Sequence, residues 1–130
     1  MNILVVDDEM AALTKMKVLL TPYGECTLST HGQQAFQKYV KAAQSGVPFG
    51  LVTIDIQLGE LSGHDLLEQI NQFEAKDGVT PARKLMISAS GTRENLLKAH
   101  SKGCDGFLVK PVKRDDLEHK LLTMGFVKKG

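Results

Sequence analysis

Short strand-like runs alternate with segments of helical periodicity along the whole chain. The predicted strands cover residues 3–6, 26–29, 50–54, 85–87 and 107–109. The runs Ile3–Val6 and Gly50–Ile54 are strongly apolar and too short for helices, which is typical of strands covered on both faces. Five strands that alternate with five helices predict an α/β sandwich built on a parallel sheet with right-handed crossovers.

Capping residues, glycine and proline mark the predicted helix boundaries. The helices are Met10–Leu20, a segment from a capping box at Thr30 and Gln33 to about Ala43, a segment carrying Leu66, Leu67, Ile70 and Phe73, a segment capped by Thr92 and ended by Gly103, and a last segment carrying Leu117, Leu121 and Leu122. The stretch Glu74–Arg83 is polar and contains Gly78 and Pro81, so we predict a surface loop there.

Length and charge restrict the class of protein. The chain has 130 residues, enough for one packed core, so residues 1–130 are predicted to form a single domain. Apolar residues make up 42% and charged residues 24%, as in ordinary globular proteins. Sixteen basic and fifteen acidic residues give a net charge of +1. Such a balance lacks the broad positive field of nucleic-acid binders, so no direct contact with nucleic acid is expected.

The cysteines and histidines carry no pattern of a metal site. Cys26 and Cys104 lie in apolar segments without ligand spacing and are predicted to be small buried or half-buried hydrophobes. The histidines are expected at the surface or at helix caps: His31, His64, His100 and His119. Because the chain also shows no signal-peptide pattern and no apolar run of membrane-spanning length, we predict a cytoplasmic protein without membrane contact.

Acidic, hydroxyl and basic side chains follow the predicted strands. Asp7 and Asp8 follow the first strand, Asp55 the third, Ser88 the fourth and Lys110 the fifth. In open α/β sheets, ligands bind beyond the carboxyl ends of the strands, so we expect these residues at one edge. Three gathered carboxylates repel one another and favour a hard cation. Mg²⁺ suits such a site, and Ca²⁺ is a weaker alternative because no ligand-rich loop is present.

Asp55 is the candidate nucleophile for phosphoryl transfer, since a carboxylate can form an aspartyl-phosphate. The transferred group spreads negative charge over its oxygens and requires positioning and cationic partners. Mg²⁺, Lys110 and the hydroxyl of Ser88 would supply them.

The sequence around these residues resembles the receiver domains of two-component response regulators, and the resemblance covers nearly the whole chain. The matching segments are Ile3–Glu9, Leu51–Asp55, Leu85–Ala89 and Gly106–Pro111. The resemblance implies a flavodoxin-like three-layer sandwich whose five-stranded parallel sheet has the order 2-1-3-4-5. It also implies a cis bond between Lys110 and Pro111, the residue type for which a cis peptide is inexpensive.

The resemblance assigns a role to each site residue. Asp55 would be the phosphoacceptor, and Asp8, Asp55 and the main-chain carbonyl of Gln57 would bind Mg²⁺, with Asp7 assisting through water. Ser88 and the Ala89 amide would contact the phosphoryl group, and Lys110 would pair with it. Ser88 and Phe107 would act as the switch that alters the face formed by the fourth helix, fifth strand and fifth helix.

The same resemblance implies partners of two kinds. A sensor histidine kinase or a phosphotransfer protein would supply the phosphoryl group, and a downstream protein target would read it. A phosphorylation-dependent homodimer through the fourth and fifth helices is a further option. The side chains of Gln57 and Ser90 would flank the path of the water that hydrolyses the acyl phosphate, and since neither is charged, we expect an intermediate phosphate lifetime.

Two departures from the family pattern fall in the loop after Asp55. Gly59 replaces the usual proline and Ser62 the frequent aspartate, which predicts a more mobile loop. Two other function classes stay open. A Mg²⁺-dependent phosphohydrolase would use the same groups but would need a second acid where Gln57 stands. A flavin or nucleotide carrier would need glycines in the turn after the first strand, where the chain has two acids.

Overall fold

The computed structural model describes residues 1–129, and in this range five strands alternate with five helices. The strands are β1 Asn2–Val6, β2 Glu25–Ser29, β3 Leu51–Asp55, β4 Arg83–Ser88 and β5 Gly106–Val109. The helices are α1 Met10–Leu20, α2 Gly32–Gln44, α3 Gly63–Asp77, α4 Arg93–Ser101 and α5 Arg114–Thr123. No helix in this range is both long and apolar enough to cross a membrane.

All strand pairs are parallel, and the order in the sheet is β2-β1-β3-β4-β5. The predicted fold class and strand order are therefore confirmed. The register pairs Asp55 of β3 with Ile87 of β4, and Ser88 of β4 with Val109 of β5. The carboxyl ends of the three strands are therefore nearly level, so the residues that follow them start from one edge of the sheet.

The core lies on both faces of the sheet. Alternate residues of a strand point to opposite faces, so Ile3 and Val5 of β1 pack with residues of α1 and α5, whereas Leu4 and Val6 pack with residues of α2, α3 and α4. This double coverage explains why the inner strands read as continuous apolar runs.

The predicted loop at Glu74–Arg83 is wrong at both ends. Helix α3 continues to Asp77 and ends at Gly78, whose φ of 64° lies in the left-handed region that glycine adopts easily. At the other end, β4 begins at Arg83. The polar residues Glu74 and Lys84 make this stretch look solvent-exposed in the sequence, but both are buried and pair with each other.

The capping prediction is right for α4 and wrong for α2. Thr92 accepts a hydrogen bond from the Asn95 amide, as a capping residue does. Helix α2 starts after His31, whose side chain makes no capping bond, and the hydroxyl of Thr30 bonds instead to the His31 ring.

The expectation that all four histidines lie at the surface or at caps is wrong for His64, which is buried near the start of α3. The cysteines are half-buried and unpaired, as predicted.

Candidate functional site

The first acidic residue of the site is fixed by a turn. Asp7 follows β1, and its amide still donates to the carbonyl of Ser29 on β2. Its Oδ1 accepts the Glu9 amide at 3.0 Å, so the side chain closes the turn that leads into α1. Asp7 is buried, and the next residue, Asp8, is exposed. One acid thus belongs to the protein interior and the other to the solvent side of the same edge.

Asp55 is the last residue of β3 and is only 5% exposed. Its Oδ1 accepts the Gln57 amide at 3.1 Å. The amide of Ile56 donates to the carbonyl of Ile87 at 2.9 Å, which keeps the chain beside β4. A main-chain amide just beyond the end of β3 therefore holds one oxygen of the carboxylate, and the second oxygen is available to other partners.

Gly63 is a residue of the site that the sequence reasoning missed. A Cβ at this position would stand 2.3 Å from the carbonyl oxygen of Asp55, closer than atoms can approach. The Gly63 amide also donates to the carbonyl of Ile56 at 2.7 Å. The start of α3 therefore rests directly on the backbone that carries Asp55. A glycine next to a helix cap was the available signal.

Lys110 joins the two buried acids. Its amide donates to the carbonyl of Ser88 at 2.8 Å, so the residue leaves β5 in register with the end of β4. Its ammonium lies 2.9 Å from Asp7 Oδ2 and 3.1 Å from Asp55 Oδ2. The bond between Lys110 and Pro111 is cis, as the resemblance implied.

Burial and the opposite charge nearby shift the pKa values of Asp55 and Lys110 in opposite directions. Desolvation raises the pKa of Asp55 above its ordinary value and outweighs the opposing effects of the Gln57 amide and Lys110. Burial lowers the pKa of Lys110, but the hydrogen bonds and charges of Asp7 and Asp55 together more than offset it, so the pKa is raised. Lys110 therefore stays charged, and Asp55 is a carboxylate for which full ionisation is costly without a further cation.

Ser88 lies at the end of β4 and is fully buried. Its Oγ accepts the Ser90 amide at 3.0 Å, so the hydroxyl proton remains free for another acceptor. Ala89 and Gln57 are exposed. Phe107 is half-buried and packs against the core on the side of α2, α3 and α4.

The carboxylates of Asp7, Asp8 and Asp55 each offer one oxygen, and these oxygens lie within 4.8 Å of one another. When all three acids are ionised, Lys110 offsets one of three negative charges. The uncompensated charge and the all-oxygen donor set suit a hard divalent cation such as Mg²⁺. A groove of about 560 Å³ adjoins the cluster, and its lining includes Asp8, Thr30, His31, Gly59 and Glu60.

Comparisons with known proteins agree with this geometry. The sequence pattern of the family described as "Response regulator receiver domain" matches residues 3–122. The chemotaxis protein CheY of Treponema pallidum (strain Nichols) is 32% identical over 125 residues, which cover 95% of this chain and 81% of that protein.

Two solved structures share the fold. In the CheX-CheY-BeF3-Mg complex from Borrelia burgdorferi, the matching chain has a TM-score of 0.81 and 27% identity, over 95% of this chain and 87% of that one. The co-crystal structure of the Saccharomyces cerevisiae histidine phosphotransfer protein Ypd1 with the receiver domain of Ssk1 gives a TM-score of 0.85 and 26% identity, over 96% and 88%. The chain therefore belongs to the response regulator receiver domains of two-component signal transduction.

Proposed function

We propose that this receiver domain accepts a phosphoryl group on Asp55 in a Mg²⁺-dependent reaction and that the modification changes its partner-binding face. The observation that carries the proposal is the position of the Asp55 carboxylate, which is bound on one oxygen by the Gln57 amide and on the other by Lys110. We also propose that residues 1–130 form one such domain, which is a phosphoacceptor and not an enzyme for a separate substrate.

The proposed chemistry is a displacement at phosphorus. An oxygen of Asp55 attacks, a P–O bond forms, and the bond from phosphorus to the donor's histidine nitrogen breaks. The electron pair of that bond stays on the nitrogen, which takes up a proton. Lys110 and the Ser88 hydroxyl stabilise the negative charge on the transferred group, and the Ala89 amide adds a third donor.

Mg²⁺ would be held by Asp8, Asp55 and the main-chain carbonyl of Gln57, with Asp7 contributing through water. Bound there, the ion supplies positive charge to the phosphoryl oxygens during transfer. Two features support this assignment: the three acids converge, and among the described residues a single lysine offsets them. Asp8 is the exposed member of the cluster, so water bound next to it can be replaced by another ligand most easily.

The output step is proposed to start at Ser88. A phosphorylated Asp55 adds nearly two negative charges, which attract the buried hydroxyl and pull the loop after β4. Phe107 then turns inward and alters the face of α4, β5 and α5. Because phenylalanine has no hydroxyl, it reports through packing alone.

The proposed donor is a sensor histidine kinase or a phosphotransfer protein, and the reader is a downstream protein, with homodimerisation as a further outcome of phosphorylation. The yeast co-crystal structure holds a histidine phosphotransfer protein together with a receiver domain, which supports this kind of donor. The side chains of Gln57 and Ser90 are proposed to flank the hydrolytic water.

The test is incubation of the full chain with a small acyl phosphate donor, with and without Mg²⁺, followed by intact mass measurement. One phosphoryl group should be added only when Mg²⁺ is present. Asp55→Asn should abolish the addition, whereas the matched change Asp116→Asn, at an exposed position of α5, should leave it intact. Addition to the Asp55→Asn protein would overturn the proposal. Multiple turnover on phosphate esters, measured separately, would favour a phosphohydrolase.

A further inference from the structure

Helix α4 is held on the domain by few apolar contacts. Ala99 is the one buried residue among the described residues of this helix. Leu96 and Leu97 are 43% and 58% exposed, so they contribute little to its attachment. The position of α4 therefore depends largely on polar contacts with neighbouring elements.

One stripe of α3 provides these contacts. His64, Glu68 and Asn71 are spaced four and three residues apart and so lie on one face of the helix. Asn71 donates to the carbonyl of Lys102, the residue that follows α4, at 2.7 Å. The ammonium of Lys102 pairs with Glu68. Two of the three residues of the stripe thus bind the carboxyl end of α4.

His64, the third residue of the stripe, is buried without a polar partner. It is 3% exposed, and neither ring nitrogen makes a hydrogen bond to any described residue. The charged groups that act on the ring are Lys98 of α4, Lys102 and, on its own helix, Asp65, which is exposed. A neutral imidazole is tolerated in such a place. An imidazolium would carry two unbonded N–H donors, and the positive charges of Lys98 and Lys102 would oppose it.

We propose that His64 makes the attachment of α4 to α3 dependent on pH: the neutral ring stays in its buried position on this stripe, and the protonated ring leaves that position and loosens α4. The proposal goes beyond the function proposed above, because it concerns the unphosphorylated protein and uses none of the residues of the acidic cluster.

The direction of the effect follows from linkage. Burial and, to a smaller extent, the two lysines lower the pKa of His64, and Asp65 opposes them only in part. When α4 detaches, the ring meets water and regains its ordinary pKa of about 6.5. The detached form therefore binds a proton more readily, so the attachment is complete above that pH and weakens as the pH falls below it. One pH unit below, the detached population should be larger by at most about tenfold.

Hydrogen exchange measured by NMR on the unphosphorylated full chain tests this directly. Protection factors, corrected for the intrinsic pH dependence of exchange, are compared at about pH 7.5 and about pH 5.5, on either side of the ordinary histidine pKa. Amides of residues 97–102 should lose protection at the lower pH, by at most about tenfold, and amides of β3 should not. Equal protection of residues 97–102 at both pH values would overturn the proposal.

Two variants assign the effect to one ring. His64→Leu should remove the pH dependence, and His100→Leu, which removes an exposed histidine of α4 itself, should retain it. The same loss of protection in His64→Leu would overturn the proposal.

If His64→Leu fails to fold, the ring titration of His64 in the unaltered protein decides. The expected midpoint lies below that of an ordinary histidine, and shifts of the α4 amides should follow the same curve. A midpoint at or above the ordinary value would overturn the proposal, and so would α4 amides that do not move.

Discussion

Replacing Lys84 with methionine leaves the buried carboxylate of Glu74 without its cation. Among the described residues outside the candidate site, Glu74 is the only buried carboxylate that is paired with a cation. The side chains of Lys84 and Glu74 are 3% and 5% exposed. Glu74 Oε1 binds Lys84, whereas Oε2 accepts both the Tyr39 hydroxyl and, at 2.9 Å, the Ala82 amide. Breaking a buried pair by removing one partner typically costs about 3–5 kcal/mol. We expect Lys84→Met to lower the free energy of unfolding by that amount.

The division of bonds between the two oxygens of Glu74 allows a sharper test. A glutamine in its place can direct its single carbonyl oxygen to both Tyr39 and Ala82, and its amide group then faces residue 84. Glu74→Gln combined with Lys84→Met removes both charges and retains both hydrogen bonds. The remaining cost is one unsatisfied amide, about 1–3 kcal/mol. The double variant should therefore be more stable than Lys84→Met alone, even though it carries one change more.

Urea unfolding followed by circular dichroism measures both variants, and the midpoints are compared at a common slope. The matched control is Lys76→Met, which removes an exposed lysine from α3 and should change stability by less than about 0.5 kcal/mol. A Lys84→Met protein whose free energy of unfolding lies within about 1 kcal/mol of the parent's would refute the reasoning, because a buried unpaired carboxylate destabilises a protein by more than that. A double variant less stable than Lys84→Met would refute the assignment of the hydrogen bonds.

Three further predictions concern the candidate site. Gly63→Ala should slow acyl phosphate labelling of Asp55 and destabilise the fold by about 1–3 kcal/mol, because the new methyl group would displace the Asp55 carbonyl; labelling at the parental rate would contradict this. Phe107→Ala should weaken phosphorylation-dependent partner binding, measured by titration of the beryllofluoride-treated domain, while labelling stays intact; equal affinity would argue against the switch. Charged substitutions at Gln57 or Ser90 should alter the decay rate of the phosphoprotein, and unchanged decay would remove their proposed role.

The sequence predicts well which side chains lie together at one edge of the sheet, because these residues follow strand ends. The change from an apolar run to a polar residue marks the end of a strand within about one residue, and a parallel sheet brings such ends to one edge. The convergence of Asp7, Asp55 and Lys110 depends only on that topology and on the lengths of their side chains. Gly63 is not predictable in this way because its role is a close contact with the backbone at the end of β3, and a glycine next to a helix cap does not by itself reveal that contact.

The sequence predicts buried polar residues poorly. Glu74 and Lys84 are separated by a polar stretch, and each by itself reads as a surface residue. Their burial depends on a mutual pairing that becomes visible only when α3 and β4 are placed side by side. The prediction for His64 is wrong for the same reason, since the charged groups that act on its ring include Lys98 and Lys102, more than thirty residues later. Local spacing contains no information about either contact.

Glu74 forms one buried acidic centre, and Asp7 with Asp55 forms another. The two centres differ in how fully their negative charge is neutralised, and this difference distinguishes a structural role from a functional one. Glu74 receives an ammonium, a hydroxyl and an amide, and the Lys84 that pairs with it is buried. Its capacity is satisfied within the protein.

Asp7 and Asp55 each receive one amide and share a single ammonium, which is 25% exposed, and the exposed Asp8 adds another negative charge beside them. Within residues 1–129 no cation other than Lys110 pairs with these acids, so the charge that remains at the carboxyl edge of the sheet favours a cation from outside the chain. A centre closed to solvent and balanced in charge can only support the fold, whereas an open and underneutralised one favours a cation and, with it, a phosphoryl group.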